Sequence, residues 1–290
     1  MVGAQRLRAK IDAGEVTTCI GMTDPVPTLI VELAIRAGID CACAPDPPRP
    51  PPAAGPDFTL SFLFPHLGRY VTMEHGHHSD EQVAQMCAIA RQLDWVLMIR
   101  PNVDRYDSSA AQTLRKAMDL GCSGLVLPNI ESAKDLDCVR DAIWLPPRGT
   151  RRPGGPANYW VPDFQYDTMR SLVEDNFLVL PMIESGRGVE NIQEIAEHEV
   201  VTHLDIGPYD LCLSLGLDYY VERPPEDDDL QKAVDLVRAA AESCGKTLMG
   251  TFGTTEELLE QGYHLLAVGE PTALLRDALT AANDRAKGRL

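Results

Sequence analysis

Glu184 and Asp210 are two carboxylates that each follow a short apolar run: Leu178–Glu184 ends in Pro-Met-Ile-Glu, and Val201–Gly207 leads into Pro208-Tyr209-Asp210. As hard oxygen donors, with water completing the shell, they suit Mg2+ or Mn2+ in an octahedral site. Such an ion chelates a 2-oxo acid through its carboxylate and keto oxygens. Acting as a Lewis acid, it stabilises the negative charge that develops on the keto oxygen as an enolate forms. Arg100 closes the run Trp95–Arg100 and brings a permanent charge and fork-shaped donors to the same anion. His75 lies in Met73-Glu74-His75-Gly76-His77-His78, at the end of the run Tyr70–Glu74. It can move a proton near neutral pH, directly or through a bound water.

Each residue taken alone also has a structural reading. Glu184 can favour the dipole of a following helix, Asp210 can cap the Leu-Cys-Leu-Ser-Leu stretch, and Arg100 can be an ion-pair partner. Their occurrence at the ends of successive apolar runs favours the functional reading. Glu74, His75, His77 and His78 together suggest a zinc cluster, but consecutive residues on a tight turn diverge, so a single base at His75 is preferred. His198, His203 and His264 read as structural or surface residues. Lysine is scarce near the strand ends, which leaves a Schiff-base mechanism without an obvious candidate.

These residues need a scaffold that brings strand ends together. Eight β-rich runs alternate with helical stretches: Thr17–Met22, Tyr70–Glu74, Trp95–Arg100, Gly124–Leu127, Leu178–Glu184, Val201–Gly207, Thr247–Thr251 and His264–Gly269. Continuous apolar segments such as VLMI, GLVL and FLVLPMI suit strands buried on both faces of a parallel sheet. Ser79-Asp80-Glu81-Gln82 is a capping-box pattern opening a helix to Leu93. Thr255, Leu230–Ser243 and Ala273–Ala286 mark further helices. The pattern predicts an α/β fold, a single-domain (β/α)8 TIM barrel over residues 1–290, with function at the carboxyl ends of the strands. A Pro-rich insertion, residues 45–67, precedes the second strand; a surface excursion is favoured over a lid carrying Phe62, Phe64 and His66. A second irregular stretch, Pro146–Pro162, is expected to border the pocket.

The composition is that of a globular protein with a sizeable core: 44% hydrophobic and 24% charged residues. The formal net charge of −17 disfavours nucleic acid and anionic lipid as partners. No apolar run is long enough for a membrane span, and the N-terminus lacks the apolar stretch of a secretory signal, so a cytoplasmic location is expected. The eight cysteines are scattered without a CxxC pair and are expected to be reduced and buried; Cys41 and Cys43 read as packing rather than metal ligands.

In order along the chain, Glu74-His75-Gly76, Ile99-Arg100-Pro101, Gly121–Pro128, Leu145–Arg152, Met182–Asn191 and Gly207–Gly216 together resemble the motifs of the HpcH/HpaI aldolase family, class II pyruvate aldolases related to the citrate lyase β subunit. The resemblance covers most of the chain apart from the insertion. It implies a divalent metal on Glu184 and Asp210, with Mg2+ expected and Mn2+ or Co2+ as alternatives. It also implies Arg100 at the enolate oxygen, His75 with Glu74 in acid–base catalysis, and a substrate carboxylate cradled around Gly207, Pro208, Tyr209 and Asp210. It further implies a homo-oligomer, a trimer or hexamer. The chain departs from the family pattern at Thr72, Met182, Tyr209 and Arg152.

The function expected on this basis is that of a metal-dependent aldehyde-lyase, a class II aldolase. It would cleave a 4-hydroxy-2-oxo acid to pyruvate, or a related 2-oxo acid, and an aldehyde through a metal-bound enolate. Oxaloacetate decarboxylation with enolate addition is the alternative that keeps the same enolate. A CoA-thioester lyase would need a basic patch, for which only Arg148, Arg151 and Arg152 offer themselves. A barrel that binds a 2-oxo acid without turnover is the non-enzymatic alternative.

Overall fold

The apolar runs become strands buried on both faces. In a computed structural model, Val96–Arg100, Gly124–Leu127 and Leu178–Ile183 are buried at every position, as strands covered on both sides must be. The structure describes residues 2–20, 28–42, 71–72, 78–152, 165–170, 174–217, 227–250, 255–267 and 271–287. Within them the strands are β1 (Thr17–Ile20), β2 (Cys41–Ala42), β3 (Val71–Thr72), β4 (Val96–Arg100), β5 (Gly124–Leu127), β6 (Leu178–Ile183), β7 (His203–Ile206), β8 (Thr247–Gly250) and β9 (Leu265–Ala267).

All pairings are parallel, in the order β2-β1-β9-β8-β7-β6-β5-β4-β3, with a further pairing of β2 with β4. The sheet therefore curls until the last strand lies beside the first. At Gly124 it closes tightly: a Cβ there would stand 2.7 Å from the Leu178 Cβ, so only glycine lets β5 approach β6 this closely.

Helices are α1 (Val2–Asp12), α2 (Thr28–Arg36), α3 (Asp80–Gln92), α4 (Ser108–Leu120), α5 (Ala133–Ile143), α6 (Tyr166–Met169), α7 (Gly186–Glu190), α8 (Ile192–Glu197), α9 (Pro208–Ser214), α10 (Asp228–Ser243), α11 (Thr255–Glu260) and α12 (Pro271–Ala286). The capping box at Ser79 forms as the sequence predicts, with the Gln82 amide donating to the Ser79 hydroxyl and the Gln82 side chain accepting from the Ser79 amide. α4 is capped by Asp107 and ends at Gly121 in the left-handed conformation, φ 100. Among the described residues, no helix is long and apolar enough to cross a membrane.

Two expectations need correction. The chain already enters the sheet at Cys41–Ala42, paired with Cys19 and Ile20 on one side and Val96 and Leu97 on the other. The strand expected to be second, here β3, pairs higher on β4, at Ile99 and Arg100. The Pro-rich stretch thus falls between two short strands rather than ahead of the second; residues 45–67 themselves lie outside the described residues. A two-residue strand of Cys and Ala has neither β-branched residues nor a period to betray it. Second, Cys19 is disulfide-bonded, whereas the six other described cysteines are free thiols. Linear spacing carries no information on which sulfurs meet in space.

His203, the first residue of β7, is buried, with Nδ1 2.9 Å from the Thr202 hydroxyl. Burial, followed by the charges of Arg8 and Lys246, lowers its pKa to about 3. Because this lies below the ordinary histidine value, the unfolded chain takes up the proton first as pH falls. The stability from neutral burial is complete above about pH 6.5 and is lost progressively toward pH 3. At pH 5 the loss amounts to about 2 kcal/mol. Urea unfolding at pH 7.5 and pH 5 is expected to show this extra loss in the parent and not in His203→Asn; an equal loss in both would contradict the assignment.

Candidate active site

Three adjacent strands, β4, β5 and β6, and their neighbour β7 deliver polar groups where the apolar runs stop. β4 ends on Arg100, which is 2% exposed, and β6 is followed by Glu184, 5% exposed. Arg100 Nη2 lies 3.8 Å from Glu184 Oε2. The other carboxylate oxygen, Oε1, accepts a hydrogen bond of 2.5 Å from the Asn129 amide, just past β5. An anion this deep needs such compensation, since an unpaired buried charge is far costlier than a paired one.

β7 gives way to α9 through Gly207, the N-cap, with Pro208 opening the helix. Gly207 has an ordinary φ of −89, so its glycine is not required by backbone conformation. It is required by space: a Cβ would stand 2.6 Å from Glu184 Oε2, 2.8 Å from Glu184 Cβ and 3.1 Å from Met182 Sδ. Asp210 falls inside the first turn of α9 and is exposed. It is therefore not the N-cap, as the structural reading of that residue had it. Tyr209 is half-buried beside it.

The strand ends are tied to one another. Ser185 caps α7 by accepting from the Gly188 amide, and its hydroxyl donates to Glu131 Oε1 at 2.8 Å. Asn191 Nδ2 donates to the Glu131 carbonyl at 2.8 Å. The loop after β5 thus clasps the loop after β6. Asn129 and Glu131 were not among the candidate residues. The available signal was Leu127-Pro128-Asn129: asparagine after a strand-ending proline tolerates the left-handed backbone found here, φ 54.

Asp205 is a further buried carboxylate, 0% exposed, in register with Met182 and accepting from the Ile206 amide at 2.8 Å. Strand alternation puts it on the same face as Gly207. Met182, one of the positions at which the chain departs from the family pattern, thus has an acidic group beside it on β7.

Of the sequence candidates, the structure brings together Arg100, Glu184 and Gly207. Pro208, Tyr209 and Asp210 follow Gly207 directly in α9. Glu74 and His75, with His77, lie outside the described residues; Thr72 ends β3 in register with Arg100. The expectation that residues 146–162 border the pocket fails for the part described. The Leu145 amide donates to Glu174, and Arg148 pairs with Glu174 at 3.3 Å while stacking 3.6 Å over Trp144. Glu174 precedes β6, so this cluster sits at the amino end of that strand, about 20 Å from Glu184. Arg151 is buried against Asp119 at 3.2 Å. Arg148 and Arg151 are thus engaged in ion pairs away from the site, and of the three arginines only Arg152 is exposed.

A model of the HpcH/HpaI aldolase/citrate lyase family matches residues 73–278, which include Arg100, Glu184 and Asp210. The chain belongs to this family. The 2-keto-3-deoxy-L-rhamnonate aldolase of Escherichia coli (strain K12) is 26% identical over 166 residues, covering 57% of this chain and 62% of that enzyme. The chain therefore spans 62% of the length of the curated relatives it matches. Among solved structures, the HpcH/HpaI aldolase from Desulfitobacterium hafniense DCB-2 superimposes with a TM-score of 0.74 at 19% identity, over 98% of this chain and 97% of that one. An HpcH/HpaI aldolase/citrate lyase family protein from Burkholderia cenocepacia J2315 gives 0.74 at 22% identity, over 98% of both chains. These likenesses establish the HpcH/HpaI fold, a curled parallel α/β sheet. The family is one of aldolases and lyases.

Proposed function

We propose that this chain is a divalent-metal-dependent aldolase that cleaves a 4-hydroxy-2-oxo acid to pyruvate, or a related 2-oxo acid, and an aldehyde. The observation that carries the reading is the buried Glu184 carboxylate, fixed by the Asn129 amide and faced by Arg100. The similarity to a 2-keto-3-deoxy-L-rhamnonate aldolase supports the substrate class.

The pairings of β1 with β9, and of β2 with both β1 and β4, support reading the sheet as a (β/α)8 barrel. In that barrel β2 and β3 share one of eight positions. Residues at the strands' carboxyl ends then face one mouth.

The donor set fits a hard divalent ion: Glu184 and Asp210 would hold it, and Gly207 leaves room for the Glu184 carboxylate. When bound, the ion supplies Lewis-acid stabilisation of charge on the substrate's keto oxygen. The chain's own residues account for the remaining steps. Arg100, permanently charged and desolvated, faces the developing negative charge without reorganisation. The backbone around Gly207, Pro208 and Tyr209 receives the substrate carboxylate. His75, with Glu74 beside it in sequence, removes the 4-hydroxyl proton. The C3–C4 pair then moves into the C2–C3 bond, the aldehyde leaves, and the returned proton at C3 gives the 2-oxo acid. A homo-oligomer, trimer or hexamer, fits the exposure of Leu274 and Leu275 on α12, 43% and 54%.

The test is pyruvate release from a panel of 4-hydroxy-2-oxo acids and from oxaloacetate, with Mg2+, Mn2+ or Co2+ and with EDTA. Metal-dependent release from at least one hydroxy acid is expected, at a higher kcat/KM than from oxaloacetate. Release from oxaloacetate alone would favour decarboxylation, and no release from any compound would favour a binding protein.

A further inference from the structure

We propose that Asn129 is a positioning residue whose left-handed backbone fixes the orientation of the Glu184 carboxylate. The inference rests on the reading of Glu184 as a metal ligand and adds how this chain holds that ligand.

The Asn129 amide donates to Glu184 Oε1 at 2.5 Å. With Oε1 engaged, the carboxylate is turned so that Oε2 lies toward Arg100, at 3.8 Å, and over the bare Cα of Gly207. In the turn after β5, φ 54 at Asn129 is the rotation that relates this amide to the chain following it, and that chain is held in turn through Glu131 by Ser185 and Asn191.

That turn is anchored from the neighbouring strand end. Tyr106 Oη donates to the Pro128 carbonyl at 2.6 Å, and Asn129 Nδ2 donates to the Val103 carbonyl at 3.5 Å. Residues 103–106 follow directly from Arg100, so one loop ties the strand bearing Arg100 to the carboxylate after β6. Asparagine is the non-glycine residue that adopts the left-handed region at least cost, and a β-branched residue there is strongly disfavoured.

The backbone requirement separates two substitutions. Asn129→Gly keeps the conformation and the amide and loses only the side-chain anchor to Val103. Asn129→Val keeps an amide but resists the turn that aims it. Mn2+ binding is read from the electron paramagnetic resonance signal of free Mn2+, with circular dichroism confirming that each variant is folded. A hydrogen bond to a charged group corresponds to about tenfold or more in an equilibrium constant. Asn129→Val is therefore expected to bind Mn2+ about tenfold or more weakly, and Asn129→Gly within about threefold of the parent. A second readout needs no metal: hydrogen exchange at the residue 129 amide is expected to be slow in the parent and about tenfold faster in Glu184→Ala.

Equal Mn2+ affinity in Asn129→Val and the parent would overturn the proposal, as would unchanged amide exchange in Glu184→Ala. A parent that binds no Mn2+ would overturn the metal reading instead, and amide exchange alone would then decide whether Asn129 orients Glu184.

Discussion

Glu184→Gln is expected to lower kcat/KM for pyruvate release by about 1000-fold or more, because it removes the anionic group proposed to hold the metal while keeping the side chain's shape. The variant should also be less stable. Glu184 and Arg100 are both buried, with side chains 4% and 3% exposed, and removing one charge leaves the other without this counter-charge. Breaking a buried pair from one side costs about 3 kcal/mol. The neutral amide can still accept from Asn129, so the loop after β5 should stay in place. Steady-state kinetics at saturating Mn2+ and urea denaturation of the same preparation read both effects. Activity above a tenth of the parent's would exclude Glu184 as a ligand.

Gly207→Ala is the second large effect, and it tests space rather than charge. The new methyl group would stand 2.6 Å from Glu184 Oε2 and 2.8 Å from Glu184 Cβ, closer than atoms in contact approach. Met182 Sδ, at 3.1 Å, belongs to a flexible side chain and can yield. The Glu184 Cβ cannot move alone, because Met182 and Ile183 are held in register with β7. The carboxylate must therefore shift, and a displacement of about 1 Å at a catalytic centre costs about 100-fold in rate. Alanine suits the observed φ of −89, but relieving the overlap with the Glu184 Cβ needs a main-chain shift, so stability should fall by about 1–3 kcal/mol while kcat/KM falls about 100-fold and Mn2+ binding weakens. A variant with parental kinetics would mean that Glu184 does not need its observed position.

Much of this site was legible because parallel strands announce their ends. A run buried on both faces stops where the first polar residue stands, and Arg100 and Glu184 both fall at such stops. Asn129 escaped because its contribution is a backbone amide, which no residue type advertises; only the Pro-Asn pair hinted at the turn. Asp205 was visible as a strand-end residue, but its complete burial depends on the register of β6 with β7, which is not written locally. β2 was missed because two small residues make no pattern, and its role comes from pairing with both β1 and β4. Residues 146–152, the described part of the stretch 146–162 read as bordering the pocket, lie away from it, and a rule was at hand: a segment following a helix such as α5 returns to the amino ends of the strands. The Glu174–Arg148 pair lies there. The disulfide at Cys19 had no signal in spacing at all.

The most direct test of the central claim is a crystal grown with Mn2+ and pyruvate, with anomalous diffraction to locate the metal. The account predicts one strong peak coordinated by carboxylate oxygens of both Glu184 and Asp210 at about 2.1 Å, with pyruvate beside Arg100. A peak bound by neither carboxylate, or pyruvate bound with no metal between the two, would contradict it.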